Sequence, residues 1–337
     1  MSNQRFLIIQ TAFVGDAILA SGAIHAIRAT HPSAVIDILV RAGNETLYQN
    51  DPRIDRTIIW EKKRNKYIHL FQTLFSIRRE RYNAVINLQR FAASGFLTAL
   101  ARADIKVGFS KNPLSFFFTK RITHRISAVG ERIIHETDRI SDCLRSIGIE
   151  SNAKPEIYIP QTAEEKIAPY LKKDFVTISP ASVWFTKQYP KHRWKNLAQS
   201  IDCQIYLLGG KGDIELCNDI AQGMNHVAVL AGEFTLIESA ALMRHAKMNF
   251  VNDSAPLHLC SATNAPVCAI FQSTSPTFGF GPLSQQSHCI ETDRKLDCKP
   301  CGLHGRKECP HHHFLCADIE TKQLLATMPR HLIIHQD

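Results

Sequence analysis

Short unbroken apolar runs alternate along this chain with longer stretches in which apolar residues recur at helical spacing. In the first half, RFLIIQ, VIDILVR, TIIW, AVINLQ and IKVGF read as strands. Asp16 to about Thr30, Tyr67 to Glu80 and about His135 to Ile147 read as helices. The basic, aromatic stretch KNPLSFFFTKRITHRISAVGE, Lys111 to Glu131, follows neither period and reads as an insertion or mobile loop. A polar segment with two prolines, GIESNAKPEIYIPQTAEE, interrupts the pattern, and alternation then restarts. FVTISP, IYLLGG, VAVLAG, MNFVND and VCAIF are the strands of the second half, with helices near 192–201, 213–222, 235–244 and 255–263. Strands alternating with helices of this length imply parallel sheets with right-handed crossovers, once in each half. The expected fold class is therefore α/β: two Rossmann-like doubly wound domains, residues 1–152 and 153–337, facing a central cleft at the carboxyl edges of their sheets.

Composition narrows the partners. The chain has 337 residues, 45% hydrophobic and 21% charged, which is material for two cores. Lys and Arg total 40 against 31 Asp and Glu, a net charge of +9 that suits phosphate, nucleic acid or an acidic membrane surface. Long Lys/Arg runs are absent, so the charge reads as spread rather than concentrated in a nucleic-acid tail. No secretory signal pattern opens the chain, and no apolar run reaches the roughly 18–20 residues that span a bilayer. A cytosolic chain with reduced thiols is expected. Of its ten cysteines, six, such as Cys260 and Cys268, read as small core residues, and four are clustered. Neither G-x-G-x-x-G nor G-x-x-x-x-G-K-[ST] occurs, which removes the main support for dehydrogenase and P-loop readings.

Three stretches carry candidate chemistry. FVGDAILASGAI places one carboxylate, Asp16, between a strand and an apolar helix. An Asp there can cap the helix. It can also act as a general base, because a helix so apolar is expected to be buried, with its first turn at the cleft. NDSAPLHL ends a strand at Asp253 and starts a helix with Ser254 at the cap and Pro256 in the first turn. Such an N-terminus presents free N–H groups and a positive dipole end to an anion, and His258 can face the same place. QSTSP gives a second polar turn at the same sheet edge; an ordinary Ser-capped helix with a polar loop is the alternative. Finally, DCKPCGLHGRKECPHHHFLC spaces Cys298, Cys301, Cys309 and Cys316 as C-x₂-C-x₇-C-x₆-C. In a cytosolic chain this reads first as a closed, structural zinc site, and otherwise as thiols pinning a loop.

Taken together, these pieces resemble the bacterial heptosyltransferases of glycosyltransferase family 9. FLIIQTAFVGDAILASGAIHAIRATHP resembles the family's opening strand, Gly-Asp turn and helix. ISPASVWFTKQYPKHRWKNLA resembles its P-x-x-x-W-x-x-K-x-W-P segment. LLGGKGD, LAGEFTLIESAALMRHAKMNFVNDSAPLHL and APVCAIFQSTSPTFGFGP resemble its donor-binding half, in order. Two positions depart: Ala255 stands where the family commonly has Gly, and Tyr189 replaces a Trp.

The resemblance implies a GT-B type enzyme that transfers heptose from ADP-heptose, with inversion and without a cofactor for the chemistry, to a lipopolysaccharide core acceptor. It implies Asp16 as the base and Lys187 as the cation that stabilises the departing diphosphate, as a flexible ammonium suits. Thr186, Lys187, Asp213, Asp253, Ser254, Ala255 and His258 are the expected donor-binding residues, with Glu215 competing for the role of Asp213. Arg90, Lys111, Lys120 and Arg121 are the expected acceptor contacts, since basic groups bind carboxylate and phosphate. The expected partners are a nucleotide sugar, an anionic glycolipid and the inner membrane surface, touched peripherally, with no nucleic acid. Another nucleotide-sugar transferase or epimerase, or a non-catalytic binder on the same scaffold, are the rival readings.

Overall fold

The computed structural model describes residues 4–127, 131–150 and 152–334. By its contacts the chain divides into two compact units, Met1–Tyr158 and Ile159–Asp337.

The first unit is built around a six-stranded parallel sheet. In chain order its elements are β1 (Arg5–Gln10), α1 (Val14–Thr30), β2 (Val35–Arg41), β3 (Arg56–Trp60), α2 (Lys66–Arg78), β4 (Tyr82–Asn87), α3 (Ala92–Leu100), β5 (Ala103–Phe109), β6 (Lys120–Ile122) and α4 (Glu136–Arg145). The strand order is β3-β2-β1-β4-β5-β6. The continuous apolar runs are explained by burial on both faces: Leu7, Ile8 and Ile9 of β1 and Ile38, Leu39 and Val40 of β2 are fully covered, as central strands of a parallel sheet must be. The stretch expected to be an insertion instead supplies a short turn, Ser115–Phe117, and the edge strand β6, which pairs with β5 from Val107↔Lys120 to Phe109↔Ile122. It escaped the strand period because an edge strand of three residues buries no face; residues 128–130 of that stretch lie outside the described residues. α3 was not foreseen either; its small residues Ala92, Ala93, Ser94 and Gly95 carry little periodic contrast.

The segment after α4 belongs to the first unit as far as Tyr158, beyond the expected edge at residue 152. Hydrogen bonds hold it there. Ala153 N donates to Ser141 Oγ at 3.0 Å and Glu156 N to Ser21 Oγ at 3.0 Å, while Arg53 donates to the Glu156 carboxylate at 2.6 Å. α1 passes so close beneath that a Cβ built on Gly22 would lie 2.0 Å from the Ala153 carbonyl oxygen. The small residues of AILASGAI thus serve a helix covered on most sides.

The second unit repeats the plan: α5 (Gln161–Ile167), β7 (Phe175–Ser179), α6 (Lys191–Gln199), β8 (Gln204–Leu207), α7 (Ile214–Ala221), β9 (Val227–Val229), α8 (Leu236–His245), β10 (Asn249–Asn252), α9 (Ala255–Thr263), β11 (Val267–Ile270), β12 (Ser287–Ile290) and α10 (Thr321–Leu325). The sheet order, β12-β11-β10-β7-β8-β9, is the same arrangement of six parallel strands. Its core gathers Ile178, Trp194, Phe250 and Ile270 with Leu324 and Leu332 from the end of the chain. Tyr189, the departure noted above, is buried there; it lies edge-on to Trp194 and donates its hydroxyl to the Ile319 carbonyl at 2.6 Å. Of the six cysteines expected in cores, Cys143, Cys217, Cys260 and Cys268 are buried, Cys203 is half-buried and Cys289 is exposed. Cys289 departs because it sits on β12, the last strand of its sheet.

Candidate active site

In a doubly wound sheet, ligands gather where the strand order reverses, beyond the carboxyl ends of the two central strands. In the first unit those strands are β1 and β4. The turn after β1 leads into α1, and Asp16 is the third residue of that helix; Phe13, not Asp16, is at its cap position. The turn after β4 carries Arg90. Between them runs a buried polar network: Thr11 Oγ1 donates to Gln89 Oε1 at 2.7 Å, Gln89 Nε2 to Gln10 Oε1 at 2.8 Å, and Lys62 Nζ to Thr11 Oγ1 at 2.9 Å. Burial, then Arg41 and Lys66, pull the Lys62 ammonium down to about 8.

α4 packs on α1 and brings charge to this place. Arg139 is 1% exposed and its guanidinium donates to Glu136 Oε2 at 2.8 Å; His124 Nε2 lies 3.8 Å from the same oxygen. Burial pushes the Glu136 carboxyl up to about 7 against the pull of Arg139, and the Asp16 carboxylate adds to the rise. Burial, then Arg90, Arg139 and Lys111, push His124 down to about 4, so it is neutral at pH 7. Asp16, Arg90 and Lys111 therefore share one electrostatic neighbourhood with Glu136, Arg139 and His124. Lys120 and Arg121 are exposed on the edge strand β6. Sequence reading missed Glu136, Arg139 and His124. The available signal was a charged pair, Glu136 and Arg139, on the face of α4 that also carries Ile140, Cys143 and Leu144.

In the second unit the central strands are β7 and β10. The turn after β7 holds Thr186 and Lys187; the turn after β10 holds Asp253 and Ser254 and opens α9 at Ala255. Lys187 Nζ is 2.5 Å from Asp253 Oδ2, and Thr274 Oγ1 donates to that oxygen at 2.6 Å. An ammonium is thus fixed beside the first turn of α9, whose dipole end is also positive. The Ser254 side chain makes no helix cap; its hydroxyl lies 3.4 Å from the Asn252 carbonyl. His258, one turn into α9, is buried, its ring 6.3 Å from that of Phe280. Two expected donor residues make contacts within their own loops. Thr186 is buried with its hydroxyl engaged by Ser273 Oγ at 2.9 Å and Arg306 N at 2.8 Å, so it is a joint in the loop. Asp213 turns its carboxylate back to accept from Gly210 N at 2.8 Å, closing the glycine turn, while Glu215 stays exposed at the start of α7.

Against known proteins, the model of glycosyltransferase family 9 (heptosyltransferase) matches residues 70–311, more than half of the chain. This chain belongs to glycosyltransferase family 9. Lipopolysaccharide heptosyltransferase 3 of Escherichia coli is 25% identical to it over 284 residues, covering 79% of this chain and 83% of that protein. The family 9 glycosyl transferase of Veillonella parvula superposes with a TM-score of 0.78 at 20% identity, covering 96% of this chain and 95% of that one. The ADP-heptose lipopolysaccharide heptosyltransferase II of Escherichia coli superposes with a TM-score of 0.73 at 20% identity, covering 96% and 97%. Family membership makes the chain a glycosyltransferase, and the reading as a non-catalytic binder falls.

In this family 9 glycosyltransferase the cysteine loop braces the Lys187 turn. Thr186 N donates to the Arg306 carbonyl at 3.1 Å while Arg306 N donates back to Thr186 Oγ1, and Cys301 N donates to the Ser273 carbonyl at 2.8 Å. A Cβ on Gly305 would meet Trp184 Cβ at 2.4 Å, so only glycine lets the loop come this close. Cys298, Cys301, Cys309 and Cys316 are free thiols; burial first, and then the neighbouring thiols, push Cys301 and Cys316 up. Among the described residues, no three or more His, Cys, Asp or Glu side chains stand in a metal-holding array. The backbone is more telling. Left-handed residues His312 and Phe314 curl the chain so that amides of His311 to Phe314 reach the Cys309 sulfur; burial opposes its thiolate, but these amides prevail and hold the thiol below its ordinary value.

Proposed function

We propose that this glycosyltransferase moves heptose from ADP-heptose to a hydroxyl of an anionic lipopolysaccharide core acceptor, with inversion. In this reading the first unit, residues 1–152 in the sequence division, handles the acceptor and the second the donor. Asp16 takes the acceptor proton as its oxygen attacks the anomeric carbon, and Arg90 and Lys111 draw acidic groups of the acceptor to the same place. Lys187, aimed by Asp253, and the first turn of α9 at Ser254 and Ala255 stabilise the diphosphate as it leaves. The observation that supports the reading is the Lys187–Asp253 pair beside the α9 N-terminus, an ammonium at the switch point of its sheet where an anion would be met.

The test is transfer by purified protein offered ADP-heptose, UDP-sugars or GDP-sugars together with heptose-free core lipid. ADP-heptose is expected to be the preferred donor. Asp16→Asn should lower kcat by roughly 10²–10⁴-fold while leaving ADP-heptose affinity within about threefold. Preference for a UDP- or GDP-sugar overturns the donor, and an active Asp16→Asn enzyme overturns the base.

We also propose that the cysteine loop takes a structural zinc ion. Four thiolates, Cys298, Cys301, Cys309 and Cys316, would hold it, and a backbone cradle of N–H groups around the Cys309 sulfur suits a metal-bound thiolate. A closed four-cysteine site supplies order to the loop and no chemistry to the reaction.

A further inference from the structure

One face of α2 is unlike the rest of the surface. Leu70, Leu74 and Ile77 point inward and are buried, as the helical period requires. Yet Tyr67, Phe71 and Phe75, each four residues on, form a second apolar stripe that faces out; Tyr67 is 71% and Phe75 66% exposed, with Ile68 beside them at 59%. Exposed aromatic residues aligned on one helix are not the scattered apolar groups that any surface carries. The Phe71 ring meets Phe96 of α3 edge-on at 5.7 Å, and α3 in turn packs on the 115–117 turn, where Phe116 and Phe117 are exposed. The apolar surface therefore continues from α2 across α3.

Its border is mostly basic, with Glu61 and Glu80 just outside it. Lys63, Arg64 and Lys66 stand exposed ahead of the stripe, Arg78 and Arg79 close it, and no carboxylate occurs from Lys62 to Arg79. In sequence the positive charge looked dispersed; the fold gathers this share of it around the aromatics. Lys120 and Arg121, exposed on β6, follow the exposed Phe116–Phe117 pair.

We propose that α2, with the adjoining aromatic turn, is a docking surface for an anionic lipid bilayer, lying flat in the headgroup region. An amphipathic helix with outward aromatics and flanking Lys/Arg has both signals that reversible membrane attachment needs: apolar area to insert and positive charge to meet acidic headgroups. A second protein surface would fit the stripe but would give no reason for five exposed Lys and Arg around it, Lys63, Arg64, Lys66, Arg78 and Arg79. The inference rests on this surface alone and stands or falls separately from the donor and base assignments.

The test is co-sedimentation of the full chain with phosphatidylcholine vesicles and with vesicles that also contain phosphatidylglycerol. Binding is expected only to the latter, weakening as salt rises. Phe71→Ser/Phe75→Ser and, separately, Lys63→Glu/Arg64→Glu should each weaken it by roughly tenfold or more. Neither pair touches the buried face of α2, so thermal midpoints should stay within about 2 °C of the parent. Absence of binding to the acidic vesicles overturns the proposal, as does binding unchanged in either variant. A concentration-dependent dimer that Phe71→Ser/Phe75→Ser dissociates, without vesicle binding, would assign the face to a second copy of the chain instead.

Discussion

At the scale of single residues, two of the buried clusters of ionisable groups among the described residues of the first unit differ in purpose. Asp37, on β2, is fully buried and accepts from Tyr82 Oη at 2.8 Å and Arg56 at 2.9 Å, with Arg5 at 3.1 Å; this cluster lies away from the turns and is structural. Glu136, Arg139 and His124 lie beside Asp16 and form the other. Glu136 yields a pH prediction with a defined sign. Its carboxyl is near 7 in the folded chain and near 4.5 when unfolded, so the folded state holds the extra proton. The stability this gives is fully present below about pH 4.5 and is lost as pH rises through 7, by at most about 3 kcal/mol. His124, pushed down to about 4, changes stability in the opposite sense over part of that window. Comparing Glu136→Gln with the parent isolates the Glu136 contribution together with its coupling to His124, 3.8 Å away. Thermal midpoints measured from pH 4.5 to 7.5 should shift steadily in favour of Glu136→Gln; a constant gap would mean that Glu136 is ionised throughout. Asp16 was legible in sequence because it interrupts an apolar series, whereas Glu136 was hidden among the charges of HETDR, which only the packing of α4 on α1 sorts into buried and exposed.

Elements, at the next scale, were most legible where both faces of a strand are buried or a helix has a marked start. α9 spans Ala255–Thr263 as its Pro and apolar spacing indicate, and α8 opens with a reciprocal cap between Thr235 and Glu238. β6, β12, α3 and α10 are short or lie at a margin, and their residues lack the contrast from which periodicity is read. The cysteine loop is the element whose spacing was plain and whose mechanical role was not. It holds Thr186, and through Thr186 the turn of Lys187, by paired backbone and hydroxyl contacts. Reduced, purified protein is expected to carry about one zinc per chain. Cys309→Ser or strong chelation should remove it, speed amide exchange at Thr186 and Arg306, and weaken donor binding by roughly tenfold. A zinc content near zero would leave the loop pinned by protein contacts alone.

On the scale of the molecule, one plan is used twice: six parallel strands in the order that reverses between the first and fourth. The repetition is one of pattern and not of turn residues, since a Gly-Asp turn occupies the first switch point and a Lys187–Asp253 pair the second. Different turns on the same scaffold suit each unit to one part of the proposed reaction, a carboxylate among basic groups in one and an ammonium beside a helix N-terminus in the other. Adding ADP should therefore slow amide exchange around residues 184–188 and 253–258 and leave the turn after β1 unchanged. Equal slowing in both units would argue against dividing donor from acceptor in this way.

By itself the sequence determined the class of fold and the number of repeats, because burial of parallel strands forces apolar runs and crossovers force helices between them. It also determined that Asp16 and the Asp253–Ser254 pair would stand in the turns and first helical residues that follow strands, where α/β sheets meet ligands. Only tertiary structure decided which charges share a site. Arg90 and Lys111 reach the neighbourhood of Asp16 while Lys120 and Arg121 stay on an edge strand, and Thr186 turns inward while Lys187 turns to Asp253. The reason is physical. Periodicity records which side of an element is dry, but electrostatic company is fixed by how elements far apart in the chain come to pack.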